Sequence, residues 1–120
     1  MIAELSQINA LVRDWENIPV ERPAEGIERQ LVIGQNLMVC RFRFAPFLVT
    51  PVHTHPHEQM SLVVKGNVKF IIDGKACIAS PGDVLYFPSN MSHGATMLNE
   101  EVILIDIFSP IREDFLPPVN

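Results

Sequence analysis

Between residues 51 and 66 the chain reads PVHTHPHEQMSLVVKG. Three histidines, a glutamate and a glutamine fall within seven positions, and an apolar run ending in Gly66 follows at once. Successive side chains on a strand point to opposite faces, so His53 and His55 share a face, with Cα atoms roughly 6.5 Å apart. Two imidazoles at that spacing can converge on one metal ion through bonds of about 2.1 Å. Strand parity brings Gln59 to the same face and turns Glu58 away. A bulge between Pro56 and Glu58 would reverse that choice, so both residues stand as candidates for a third ligand. His57 has the right parity, but three imidazoles on one strand cannot easily reach the same ion, and it reads as a bystander. The chain has four histidines, and the remaining one, His93, opens a later apolar stretch after PGDVLYFPSNMSHG. Antiparallel pairing of two interior strands would set His93 against His53 and His55.

The elements that must position these groups read as strands. Runs rich in Val, Ile, Leu and Phe cover 28–33, 37–44, 59–64, 68–72, 76–79, 84–87, 93–98 and 102–108. Turn signals separate them, of which Asp73-Gly74 is the clearest two-residue hairpin, because its turn type needs the positive φ that glycine accepts freely. Short strands with a turn every ten or so residues predict an all-β sandwich or barrel. Ahead of them, Ile2, Leu5, Ile8, Leu11, Val12 and Trp15 carry the spacing of a short amphipathic helix, and residues 19–26, PVERPAEG, read as a linker. Pro117 and Pro118 close the last stretch as a tail. The expected division is an N-terminal segment and linker over 1–27, one barrel domain over 28–116, and a tail over 117–120.

Composition narrows the function classes. A chain of 120 residues suits one core, and 48% hydrophobic against 19% charged residues excludes a disordered chain. The net charge of −5 argues against sequence-independent nucleic-acid binding, so an anionic ligand must be held by something local, a metal ion or an arginine. Cys40 and Cys77 read as small hydrophobes in a reducing compartment. No stretch approaches the ~20 apolar residues of a membrane span, and MIAELSQINALVRDW lacks the pattern of a secretory leader. A cytoplasmic protein with no nucleic-acid or membrane partner is expected.

The two histidine segments resemble the two motifs of the cupins. HTHPHEQMSLVVKG matches the first with His53, His55 and Gly66, and GDVLYFPSNMSH matches the second with Gly82, Pro88 and His93. Gln59 stands where that pattern carries an acidic ligand, and Asn90 replaces an inner glycine, a change that asparagine's tolerance of left-handed backbone makes cheap. The resemblance implies a double-stranded β-helix, the cupin jelly-roll barrel, with a metal inside and a homodimeric assembly. HPHEQ, PSNMSHG and DIFSPIREDFL together look like the pectin-degradation cupins of the KdgF type, over roughly 28–116. That group converts 4,5-unsaturated uronates from pectin and alginate breakdown into linear keto acids. Carried over residue by residue, it implies His53, His55, Gln59 and His93 as ligands of one divalent ion (Ni, Zn, Mn, Fe or Cu), and Asp106, Phe108 and Arg112 as the catalytic neighbours.

The residues agree with that chemistry. Three neutral imidazoles and a neutral amide leave the ion's full charge uncompensated, which suits a carboxylate ligand or a developing enolate. Asp106 interrupts the apolar run VILIDIF, so it is either paired or functional, and it is the candidate for moving a proton. Arg112 could bind a substrate carboxylate through its fork, and Phe108 could line the pocket. Arg41 and Arg43 alternate with Phe42 and Phe44 and most simply form the polar face of a strand. The expected substrate is a small sugar acid. The residues leave open another metal-dependent cupin enzyme, such as a dioxygenase or a sugar or keto-acid isomerase, and a non-catalytic sugar-binding cupin.

Overall fold

The computed structural model describes residues 11–117. Among the described residues ten strands follow one another: β1 (Glu21–Ala24), β2 (Ile27–Ile33), β3 (Met38–Phe44), β4 (Val49–His53), β5 (Glu58–Lys65), β6 (Val68–Ile72), β7 (Lys75–Ala79), β8 (Val84–Phe87), β9 (His93–Met97) and β10 (Val102–Ser109). Six form a sheet in the order β1-β2-β3-β10-β5-β8, and four form a second sheet in the order β4-β9-β6-β7, all paired antiparallel. This is the expected all-β jelly roll. No helix among the described residues is long and apolar enough to cross a membrane.

Alternation within each strand builds the interior. In β3, Met38, Cys40, Phe42 and Phe44 are buried, while Val39, Arg41 and Arg43 face outward, as the alternation of arginine and phenylalanine predicts. Arg43 pairs there with Glu101 at 2.8 Å and with Glu28 at 3.6 Å. The inward residues of β3, β5, β8 and β10 meet Val68, Phe70, Ala79, Ala95 and Met97 from the facing sheet. Each buried phenylalanine or methionine contributes about 1.5–3 kcal/mol to holding the sheets together. Asp73 and Gly74 take positive φ at the β6–β7 hairpin, as their sequence requires.

Two local readings differ from the structure, and a third lies mostly outside the described residues. The amphipathic helix over 1–15 falls mostly outside the described residues. Residues 11–14 are not helical, Leu11 and Val12 are exposed, and the first regular element among the described residues is a 3₁₀ turn at Trp15–Asn17, capped by the Asp14 carboxylate. The stretch read as a linker contains β1. Its Pro23 is tolerated because β1 lies at the edge of its sheet, and Gly26, at φ 80°, turns the chain back into β2. Finally, His53 and His55 do not share a strand, because β4 ends at His53 and residues 54–57 carry the chain from the four-stranded sheet to the six-stranded one.

Candidate metal centre

His53 closes β4 and His93 opens β9, and the two are register partners across neighbouring strands. Between these strands Gly94 is essential in a steric sense. A Cβ there would lie 3.0 Å from both Thr50 O and Val52 N, so β4 approaches this closely only because position 94 has no side chain. His55 arrives from the connector. Asn90, left-handed at φ 65°, donates its backbone N–H to His55 O at 2.9 Å, and the Ser89 hydroxyl donates to Pro56 O. The turn of the second motif therefore pins the loop of the first. This pinning, together with a proline that lacks an N–H, is why the connector leaves strand geometry.

The three rings come together. Ring centroids are 4.5 Å apart for His53–His93, 5.0 Å for His55–His93 and 5.6 Å for His53–His55. One ligand atom from each lies within 4.8 Å of the others. Phe87 stacks on His93 at 4.6 Å, and Phe108 meets His55 edge-on at 5.8 Å. In every ring Nδ1 points at a backbone carbonyl: Pro51 O at 2.9 Å from His53, His57 O at 3.1 Å from His55, and Met91 O at 2.9 Å from His93. An Nδ1–H donated to a carbonyl leaves the Nε2 lone pair free, which is the usual arrangement of metal-binding imidazoles. Burial, with help from the nearby Arg112 and His93, lowers the His55 pKa to about 4, and burial also lowers that of His93. Near neutral pH both rings offer lone pairs. His57 stays outside the trio; its carbonyl accepts from His55 and its ring meets the His55 ring edge-on at 5.4 Å.

Gln59 begins the inward row of β5 and is 6% exposed. Its Nε2 donates to Ser61 Oγ at 2.9 Å, and Ser61 donates to Asp106 Oδ1 at 2.6 Å. That chain fixes the amide, so its Oε1 faces His55 Nε2 at 3.0 Å. Two lone-pair-bearing atoms then confront each other in a buried site, an arrangement a cation relieves. The donor set of three imidazoles and an amide oxygen thus fits a divalent ion, and three histidines are positioned to hold one. Glu58 points to the outer face, where it accepts from the Tyr86 hydroxyl, while Gln59 faces the histidines.

Asp106, on β10, is the register partner of Ser61 on one side and of Cys40 on the other. Burial pushes its carboxyl up to about 7, against the opposing pull of the Ser61 hydrogen bond and the Arg112 charge. Burial, and secondarily Asp106, raises the Cys40 thiol out of any reactive range. Arg112 is no exposed tail residue. Its side chain is 11% exposed, its Nε and Nη2 fork onto Asp114 at 2.9 and 2.8 Å, and its Cζ lies 5.0 Å from the Phe108 ring centroid. His53, His93, Gln59, Asp106, Phe108 and Arg112 all line one cavity of about 280 Å³.

Two lining residues, Ser61 and Arg29, were not singled out from the sequence. Their signal was parity alone. Each is the middle member of an inward-facing row, Gln59-Ser61-Val63 on β5 and Ile27-Arg29-Leu31 on β2.

A jelly-roll barrel with a histidine cluster at the end of its fourth strand and the start of its ninth defines the cupin class. Residues 40–108 match the family described as Cupin domain, and the chain belongs to that family. It is 34% identical over 103 residues to the pectin degradation protein KdgF of Dickeya dadantii (strain 3937), covering 84% of this chain and 94% of that one. Among solved structures it is similar to an RmlC-like cupin from Shewanella frigidimarina NCIMB 400 (TM-score 0.82, 34% identity, 87% of this chain and 94% of that one). It is likewise similar to KdgF from Halomonas sp. (TM-score 0.80, 31% identity, 84% and 94%).

Proposed function

We propose that this protein is a metal-dependent enzyme of pectin and alginate breakdown that opens the ring of 4,5-unsaturated uronates to give linear keto acids. The observation that carries the reading is Asp106: a buried carboxylate poised near neutrality, in the same cavity as the histidine cluster and a half-committed arginine. The similarity to proteins named KdgF supports it. A volume of about 280 Å³ lies just below the range of drug-sized sites, ~300–1,000 Å³, and suits one sugar ring.

His53, His55, Gln59 and His93 would hold the ion, whose uncompensated positive charge favours an anionic oxygen on the substrate. Arg112 orients the substrate carboxylate with the guanidinium edge that Asp114 leaves free. Phe108, wedged between the His55 ring and Arg112, excludes water from the face between them. The Asp106 carboxylate takes the proton of the anomeric hydroxyl. The bond between the anomeric carbon and the ring oxygen then breaks, the hydroxyl oxygen becomes an aldehyde, and the electron pair stays on the departing ring oxygen as an enolate. Protonated Asp106 returns the proton to carbon 4, which completes the ketone. The step is an isomerisation, with no atom lost or gained.

The test is to give the metal-loaded protein unsaturated galacturonate or mannuronate and follow absorbance of the conjugated double bond. Loss faster than the spontaneous rate is expected, and Asp106→Ala should abolish it with metal content unchanged. A wild-type trace no faster than the spontaneous one overturns the reading.

A further inference from the structure

The inward row of β2 runs Ile27, Arg29, Leu31, so a guanidinium interrupts an apolar face on β2 as Asp106 does on β10. Register places Arg29 opposite Phe42, and its side chain is only 13% exposed. Burying a charge at such a position does not favour the fold over an apolar residue of similar size, so a job for it should be visible. Three contacts show what it does. Its Nε donates to Glu21 Oε1 on β1 at 3.0 Å, its Nη2 reaches Phe115 O at 3.4 Å, and its Cζ lies 4.3 Å from the Phe115 ring centroid.

Phe115 is the last residue of a 3₁₀ turn, Glu113–Phe115, that follows Arg112 directly. The Arg112 Cζ lies 4.2 Å from the same ring centroid. One aromatic ring therefore carries two guanidinium groups, one from the barrel wall and one from the C-terminal turn. The ring also meets Phe42 and Phe108 edge-on, at 6.1 and 5.8 Å. The Arg112–Asp114 fork lies within the C-terminal segment and cannot tie it to the barrel. Of the hydrogen bonds made by the described side chains, the one from Arg29 is what ties Phe115 to the wall.

We propose that Arg29 is a positioning residue for anion recognition: it anchors Phe115, and through Phe115 it holds the Arg112 guanidinium in the cavity wall. A recognising group already in place spares the cost of ordering it on binding. Arg29 also lines the cavity, its charge paired with Glu21, and with Arg112 held in place the cavity selects a uronate over a neutral sugar of the same ring size. This inference rests on the reading that Arg112 binds a carboxylate.

The test uses metal-loaded protein and two unreactive probes, saturated galacturonate and galactose, titrated by calorimetry against wild type, Arg29→Met and Arg29→Lys. Arg29→Met keeps the stem and drops the charge; Arg29→Lys keeps the charge and drops the fork. Galacturonate affinity should fall about tenfold or more in Arg29→Met and less in Arg29→Lys, the size of one lost charge-assisted contact, with galactose binding and metal content unchanged. With unsaturated galacturonate the loss should fall on KM, leaving kcat within about threefold. Amide exchange over 112–116 should quicken in both variants, a readout that distinguishes a loosened turn from a lost charge. Galacturonate affinity within twofold of wild type in both variants overturns the proposal, as does a wild type that fails to prefer galacturonate over galactose. Because binding of the saturated probe needs no turnover, a wild type that binds galacturonate but transforms no unsaturated uronate would sink the enzymatic reading and leave Arg29 to be judged on affinity. Should Arg29→Met fail to fold, Arg29→Lys carries the same comparison.

Discussion

Ser61→Ala removes one oxygen from the interior and tests how the site sets Asp106, its proposed proton-transfer group. Ser61 is fully buried and donates to Asp106 Oδ1 at 2.6 Å. Burial drives the Asp106 carboxyl up to about 7, and this hydrogen bond is the first of the two influences that restrain it, the second being Arg112. A hydrogen bond to a charged group is worth about 1.5–3 kcal/mol, and one pKa unit about 1.4 kcal/mol, so deleting the hydroxyl should raise the Asp106 pKa by about one to two units. At the pH where the wild-type carboxyl is half ionised, the ionised fraction then drops to between roughly one tenth and one hundredth, and kcat/KM at that pH should fall about 5- to 50-fold. Activity should return as the pH is raised towards 9, because only the base form is depleted. The assay is a pH profile of kcat/KM from the conjugated-double-bond absorbance, with metal content measured alongside. A bound cation lowers Asp106 in both proteins, so the displacement between their rising limbs is the quantity to read. Superimposed limbs, or a uniform loss that higher pH does not recover, would refute the reasoning.

Two further perturbations follow from the same geometry. Asp106→Asn should stabilise the metal-free fold at alkaline pH: the folded-state pKa of about 7 lies above the usual 3.8, so stability is lost as pH rises between those values and the loss levels off above them. The gain should approach about 4 kcal/mol at pH 8 and vanish below pH 4; denaturant unfolding at both pH values checks it, and an equal effect at both would contradict it. Gly94→Ala forces β4 away from Thr50 O and Val52 N contacts of 3.0 Å, moving His53 relative to His93. Metal affinity should weaken about 10- to 100-fold in a protein that still folds, as measured by competition with a chelator; an unchanged affinity would show that the His53–His93 spacing has slack.

The histidine cluster was legible in the sequence because its residue type is rare and its motifs are specific. His53, His55 and His93 need only be counted and spaced to be suspected. The path the chain takes between them was not legible. Strand parity turns Gln59 inward and Glu58 outward, as they lie in the structure, yet the parity argument assumed one continuous strand where Pro56, held by Ser89, sits in a crossing between sheets. Ser61 and Arg29 were hidden by a different cause. On β5 the exposed row includes Met60 and Val64, while the inward row holds Gln59 and Ser61, so hydropathy points the wrong way round. A site lined with polar groups inverts the pattern that identifies a core face. Asp106 escaped this because both faces of VILIDIF are apolar, so any carboxylate there stands out. Within the helical reading of the N-terminus, the described residues 11–14 are not helical, and Leu11 and Val12, apolar at helical spacing, are exposed.

The crossing at residues 54–57 has a mechanical corollary. His53 and His93 belong to the four-stranded sheet, Gln59 to the six-stranded one, and His55 to the span between them. An ion gripped by these donors would act as a rivet through both leaves of the barrel at its open rim. Loading would tighten the gap between the leaves, and stripping would let the rim breathe without unseating the phenylalanine-rich floor. The width of the entrance, and with it the set of sugars admitted, would then answer to the ion as well as to the side chains around it.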